Sequence, residues 1–179
     1  MSLKSASNRY GSVAITIHWL TALAIFGMLF SGLSAANTAD EAQKLTLLRG
    51  HAIMGTLIGV LTLFRIVWFL VFDKRPEDAP GLSRLQKGAV HAVHYGLYAV
   101  ILVMVASGIG TLVLTGANLQ IFGGAPLPLP DFALAPPMTV HGILARVLIA
   151  LLIGHIGAAL WHQFVRRDRL LARMGIGRS

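Results

Sequence analysis

Histidine and arginine recur in this chain at one interval. His141 and His155 stand 14 residues apart in "HGILARVLIALLIGH", and His51 and Arg65 repeat that spacing. A helix turns about 100° and rises about 1.5 Å per residue, so 14 residues bring a side chain to within roughly 40° of its starting direction, about 21 Å further along. Each pair therefore lies on one helix face at two heights. Neutral imidazoles from facing helices can hold a haem iron axially, one from each side, and helical bundles commonly house such cofactors. His18, His51, His141 and His155 are the candidate ligands, in two layers that would carry two b-type haems.

The elements that must hold these residues are membrane helices. Of 179 residues, 55% are hydrophobic and 12% charged, too oily a balance for an ordinary soluble domain. Apolar stretches at about 13–33, 52–72, 92–114 and 140–164 are each long enough to cross a bilayer, which needs about 20 residues. The fold class expected is all-α: an antiparallel four-helix membrane bundle filling residues 1–179 as one domain. A secretory signal is a poor fit to the first stretch, which exceeds the usual apolar length of about 7–15 residues and contains His18 and Trp19. No internal repeat stands out on reading along the chain. "DKRPEDAPG" separates the second and third spans, and the Gly- and Pro-rich segment from Gly116 to Pro137 reads as a cap over the bundle mouth.

Charge orients the bundle. The net charge of +8 is distributed by topology rather than as a nucleic-acid-binding patch. Lys4 and Arg9 precede the first span, Lys74, Arg75, Arg84 and Lys87 separate the second from the third, and Arg166, Arg167, Arg169, Arg173 and Arg178 follow the fourth. The other side has only Lys44 and Arg49, so both termini are expected in the cytoplasm. Span direction then groups His51 with His141 near the outer surface and His18 with His155 towards the inner one. His91 and His94 also lie near the inner surface, and by depth alone His94 competes with His18.

The absence of cysteine excludes disulfides, iron–sulfur clusters and covalent c-type haem. A zinc or copper site would gather three or four ligands compactly, and a proton or metal carrier would place carboxylates at depth, where these spans have none. Arg65 reads either as a snorkelling interfacial cation or as a partner for a haem propionate at the level of His155. Gly55, Gly59, Gly108, Gly110, Gly154 and Gly157 leave room for close helix packing or for a flat macrocycle. Trp19, Trp68 and Trp161 read as an interfacial belt.

"ITIHWL", "RGHAIMG", "HAVHYGLY" and "VHGILARVLIALLIGHIGAALWH", in that order, resemble the bacterial cytochrome b561 family of small four-span, two-haem membrane proteins. The resemblance covers nearly the whole chain. It implies that His18, His51, His141 and His155 are the axial ligands and that His91 and His94 are not. It also implies a superoxide:ubiquinone oxidoreductase of the bacterial inner membrane, taking electrons from periplasmic superoxide and passing them to ubiquinone. Two alternatives stand beside it: a membrane cytochrome serving a separate periplasmic redox partner, and a non-redox histidine-lined metal or proton carrier. Quinone reduction needs proton-bearing groups near the inner layer, and His162, one further heptad along the face of His155, is the candidate, with Lys74 and Arg75 as helpers.

Overall fold

The computed structural model describes residues 2–79 and 81–177; Arg178, counted above among the basic residues, lies outside them. Five α-helices follow one another: α1 Ser12–Asn37, α2 Glu41–Val67, α3 Arg84–Thr115, the short α4 Ala117–Ile121, and α5 Pro136–Trp161. Two single π-helical turns extend α2 through Trp68–Phe72 and α5 through His162–Arg166. No strand occurs among the described residues. Four helices are long and apolar enough to cross a membrane, which gives the expected four-helix bundle.

The helices outrun the apolar stretches because their caps lie further out. Asp40 accepts the backbone N–H of Gln43 and starts α2 well before the apolar run. Ser83 and Gln86 form a reciprocal capping box that starts α3 at Arg84. Gly116, in the left-handed region at φ 74°, ends α3 and turns the chain into α4.

A repeat invisible in a linear reading emerges once the helices are paired. The bundle consists of two helical hairpins, α1 on α2 and α3 on α5. Moving 76 residues from α1 to α3 carries His18 onto His94, Ile25 onto Ile101, Met28 onto Met104, Ser31 onto Ser107 and Gly32 onto Gly108. Moving 90 residues from α2 to α5 carries His51 onto His141, Ile58 onto Leu148 and Arg65 onto His155. The central core consists of two such matched pairs, Ile25 with Ile101 and Ile58 with Leu148, all buried and in one cluster. The different loop lengths, which make the two shifts unequal, hide the repeat from a search at a single period.

The two halves part company where the hairpins meet. α2 lies against α3, and a Cβ at Gly59 would stand 3.1 Å from a Val105 methyl. The counterpart of Gly59 in α5 is Ile149, and among the described residues α1 and α5 approach each other only marginally. An apolar cavity of about 380 Å³ opens between them, lined by Phe26, Leu29, Ile149, Leu152, Ile156 and Gly157 among others.

The segment after α3 does cap one end of the bundle. Ala117 and Ile121 are fully buried, Arg49 Nε donates to the Ile121 carbonyl at 2.7 Å, and the Leu129 N–H donates to Glu41 at 3.0 Å. At the end bearing the termini, the N-terminal segment, the turn after α2 and the C-terminal 3₁₀ turn Leu170–Met174 knit together. Ser5 donates its N–H and its hydroxyl to Asp73, the Glu77 N–H donates to Ser7 O, and Arg173 donates to the carbonyls of Asn8 and Glu77. Burial alone would raise the Asp73 carboxyl, but the bonds from Ser5, Lys74 N–H and Trp68 outweigh it and hold its pKa below the ordinary 3.8.

Candidate functional site

The histidines meet in two levels. At the level nearer the capped end, His51 of α2 and His141 of α5 face each other with ring centroids 6.1 Å apart. At the level nearer the termini, His18 of α1 and His155 of α5 face each other at 6.2 Å. A metal–imidazole bond is about 2 Å long and the ring centre lies about 1.1 Å beyond the nitrogen, so one metal held in line between two imidazoles sets their centroids about 6.2 Å apart. Both pairs have that separation. The apolar cavity beside α5 brackets His155 in sequence, with Leu152, Ile156 and Gly157 in its wall, and a Cβ added at Gly154 or Gly157 would meet no neighbouring atom within 4 Å. Apolar walls, missing side chains and a matched imidazole gap fit a flat macrocycle with an axially held iron.

His94 is the third ring at the lower level. It lies 5.3 Å from His155, edge-on at 81°, closer than a shared metal permits. Its Nδ1 donates to Val90 O, the carbonyl one turn back in its own helix, at 2.7 Å. The matching carbonyl before His18 is Ala14 O, and there the acceptor is taken at 2.7 Å by Arg65 Nη1. Arg65 also donates from Nε to the Tyr98 hydroxyl at 3.0 Å. The guanidinium thus points into the bundle at the lower level rather than out to the interface, its position in the repeat being that of His155. Thr21 Oγ1 and Thr62 Oγ1, each one turn from this level, are buried without a hydrogen-bond partner. An incoming polar group there would satisfy them.

The three residues expected around a quinone are spread over different contacts. His162, in the π-turn after α5, holds Asp168 through Nδ1 at 2.5 Å, and Arg166 stands 4.0 Å from the same carboxylate. Arg75 lies among the rings of Phe69, Tyr95 and Tyr98, at 5.5, 5.1 and 5.7 Å from their centroids. The backbone N–H of Lys74 donates to Asp73. Among the described residues no hydrogen bond or ion pair joins His162 to Lys74 or Arg75. Sequence reading passed over Asp168, although an acid in the arginine run six residues beyond His162 was a visible signal. His91 reaches Asp78 at 3.4 Å and stacks on Tyr95. Trp19 and Trp68 donate their indole N–H to Met174 O and Asp73 respectively, as fits residues at a membrane boundary. Arg146 is exposed on α5 and donates to Gly142 O of its own helix.

Sequence reading also passed over Ser31 and Ser107. Ser31 Oγ lies 3.0 Å from His51 Nδ1, and Ser107 Oγ lies 3.2 Å from His141 Nδ1. The paired Met-x-x-Ser-Gly segments were the signal that would have found them.

Comparison with known proteins agrees with this architecture. The sequence model described as prokaryotic cytochrome b561 matches residues 9–177. "Cytochrome b561 homolog 2" of Escherichia coli is 28% identical, over 100% of this chain and 97% of its own length. "Probable superoxide oxidase CybB" of Yersinia pestis is also 28% identical, over 93% of this chain and 95% of its own. "Cytochrome b562" of Cereibacter sphaeroides is 27% identical, over 92% and 94%. With four membrane-length helices and a family match over almost its full length, the chain belongs to the prokaryotic cytochrome b561 family, haem b-binding electron-transfer proteins that pass several times through the bacterial inner membrane.

Proposed function

We propose that this protein holds two haems b, one between His51 and His141 and one between His18 and His155, and carries electrons from superoxide outside the membrane to ubiquinone within it. The supporting observation is the pair of imidazole gaps, 6.1 and 6.2 Å, stacked along one bundle. Haem b supplies one-electron iron(II)/iron(III) chemistry when bound. With His51 and His141 holding one haem and His18 and His155 the other, no position would be left open for oxygen, which favours outer-sphere electron transfer over oxygen activation.

The protein's own groups do the rest. Both termini lie in the cytoplasm by the distribution of lysine and arginine, so the His51/His141 level faces the periplasm. Arg65, whose guanidinium is held by Ala14 O and Tyr98, offers positive charge to a propionate at the lower level. The overall exchange balances as two superoxide ions, one ubiquinone and two protons giving two dioxygen molecules and one ubiquinol. Quinone reduction belongs at the cytoplasmic end, with His162 as the proton-bearing residue and Lys74 and Arg75 as helpers. The Asp168 carboxylate on Nδ1 leaves Nε2 of His162 for the quinone oxygen. The relative named as a probable superoxide oxidase points to the same donor.

The test is a haem count with reduced-minus-oxidised spectra on purified protein. Wild type should hold two haems and His141→Ala one, with the remaining spectrum that of the inner haem; a wild-type count of one would overturn the reading. Superoxide and a water-soluble ubiquinone are then supplied in turn to the two-haem protein. Reduction by superoxide with no partner present separates an oxidoreductase from a conduit for another enzyme. Slowed reoxidation by quinone in His162→Gln, with both haems retained, supports the quinone site, and unchanged reoxidation removes it.

A further inference from the structure

The two halves of the bundle share one feature that haem ligation does not by itself require. Ser31 and Ser107 occupy equivalent positions in α1 and α3, each three residues after a methionine and just before a glycine. Each hydroxyl donates to the methionine carbonyl, Ser31 to Met28 O at 3.1 Å and Ser107 to Met104 O at 2.9 Å. Its single proton is thereby used, and its lone pairs face the histidine of the neighbouring helix: His51 Nδ1 at 3.0 Å from Ser31, His141 Nδ1 at 3.2 Å from Ser107. His141 Nδ1 also lies 3.0 Å from Met104 O. A carbonyl only accepts, so Nδ1 of His141 carries the proton and Nε2 is bare. At His51 no carbonyl is recorded on Nδ1, but the Ser31 proton is already given to Met28 O, so its lone pair is left to accept an Nδ1–H, which points to the same tautomer. The adjacent glycines let the rings come this close, since a Cβ at Gly32 or Gly108 would stand 3.1 or 3.4 Å from the Cε1 of His51 or His141.

We propose that Ser31 and Ser107 are a matched pair of positioning residues, which hold His51 and His141 in the Nδ1–H tautomer with both Nε2 atoms turned towards the shared iron position, and which set the redox potential of the haem bound there. The proposal rests on these histidines being the outer axial ligands. An acceptor on Nδ1–H makes the imidazole a stronger donor and favours the ferric state. The two sites are unequal. His51 has Ser31 as its one recorded Nδ1 partner, whereas His141 keeps Met104 O if Ser107 is lost.

Ser31→Ala should therefore move the outer haem towards the ferrous state by about tenfold, the lower end of the range for loss of such a partner, which is about 59 mV upward for a one-electron couple. Ser107→Ala should move it by less than half of that, and the inner haem should not move in either variant. The measurement is a spectroelectrochemical titration of the two-haem protein in detergent, the two potentials being assigned with His141→Ala and His18→Ala. Unchanged outer potentials in Ser31→Ala and in the double variant, with two haems present, would overturn the proposal. If Ser31→Ala loses the outer haem, Ser31→Thr decides: a hydroxyl that restores it supports the role, and loss in both shows that only the fit of the side chain mattered. His141→Ala tests the ligand reading separately, because its failure to lose a haem leaves the serines with nothing to position.

Discussion

Replacing His94 and His18 by alanine, separately, tests which of two symmetry-related histidines serves the lower level. The repeat makes them equivalent by position, and depth along the spans does not choose between them. Local bonding does. For His94 to stand in line with His155 across a metal, its centroid would have to retreat from 5.3 Å to about 6.2 Å. A retreat that carries Nδ1 out of reach of Val90 O, now at 2.7 Å, has a net cost of about 0.5–1.5 kcal/mol. Such a cost disfavours that placement by a factor of roughly 2 to 12 even before His18 is displaced from the same gap. His18 incurs no comparable cost, because Arg65 already occupies Ala14 O and His18 stands at 6.2 Å. His94→Ala should thus keep two haems per chain with both potentials close to wild type, and lose about 1 kcal/mol of stability with its helix bond. His18→Ala should fall to one haem. The assay is a pyridine haemochrome count against protein concentration, with low-temperature difference spectra to identify the haem that remains. Two haems in His18→Ala with one in His94→Ala would refute the reasoning outright.

Asp73 gives a pH dependence outside the membrane. Its folded pKa is held below 3.8, so its contribution is fully present above that value and is lost as pH falls from about 4 through the folded pKa; limited proteolysis of the N-terminal segment should accelerate there, and Asp73→Asn should remove the transition. Gly59→Ile puts into α2 the residue that α5 carries at the equivalent place. Crowding against Val105 should cost about 1–3 kcal/mol and lower the thermal midpoint in detergent, whereas an unchanged midpoint would show that α2 and α3 need no close approach at this level.

Much of the architecture was legible because the bilayer imposes it. Spans of the required length and the 14-residue intervals give the four helices and the relative depths of His18, His51, His141 and His155 without reference to contacts, and the two facing pairs follow from them. What periodicity could not supply was a choice among residues of equal depth. His18 and His94 differ by which carbonyl binds which side chain, and this depends on Arg65 reaching α1 from α2 and on Tyr98 reaching Arg65 from α3. Helix ends lie outside the apolar stretches for a related reason: hydropathy finds where lipid begins, while capping at Asp40 and Ser83 finds where the helix begins. Helical phase puts His162 on the face of His155, but Asp168 lies beyond a left-handed residue at Arg167, φ 56°, where helical phase no longer applies.

The repeat explains why one level is symmetric and the other is not. At the upper level the two hairpins contribute alike: His51 and His141, each held by a serine from the first helix of its own hairpin. A strict twofold at the lower level would offer either four histidines or two histidines and two arginines. The chain instead has His18, His94 and His155 with Arg65. Replacing one of four imidazoles by a guanidinium removes a competing ligand, supplies positive charge in a low-dielectric interior, and ties up the carbonyl before His18. The same asymmetry continues in the packing, where Gly59 draws α2 onto α3 and Ile149 stands on the open side between α5 and α1. The cavity therefore falls between α1 and α5, the two helices that carry His18 and His155. One substitution in the polar layer and one in the packing layer fall on the same pair of helices, so the 6.2 Å separation of His18 and His155 and the apolar cavity between α1 and α5 lie on the same side of the bundle.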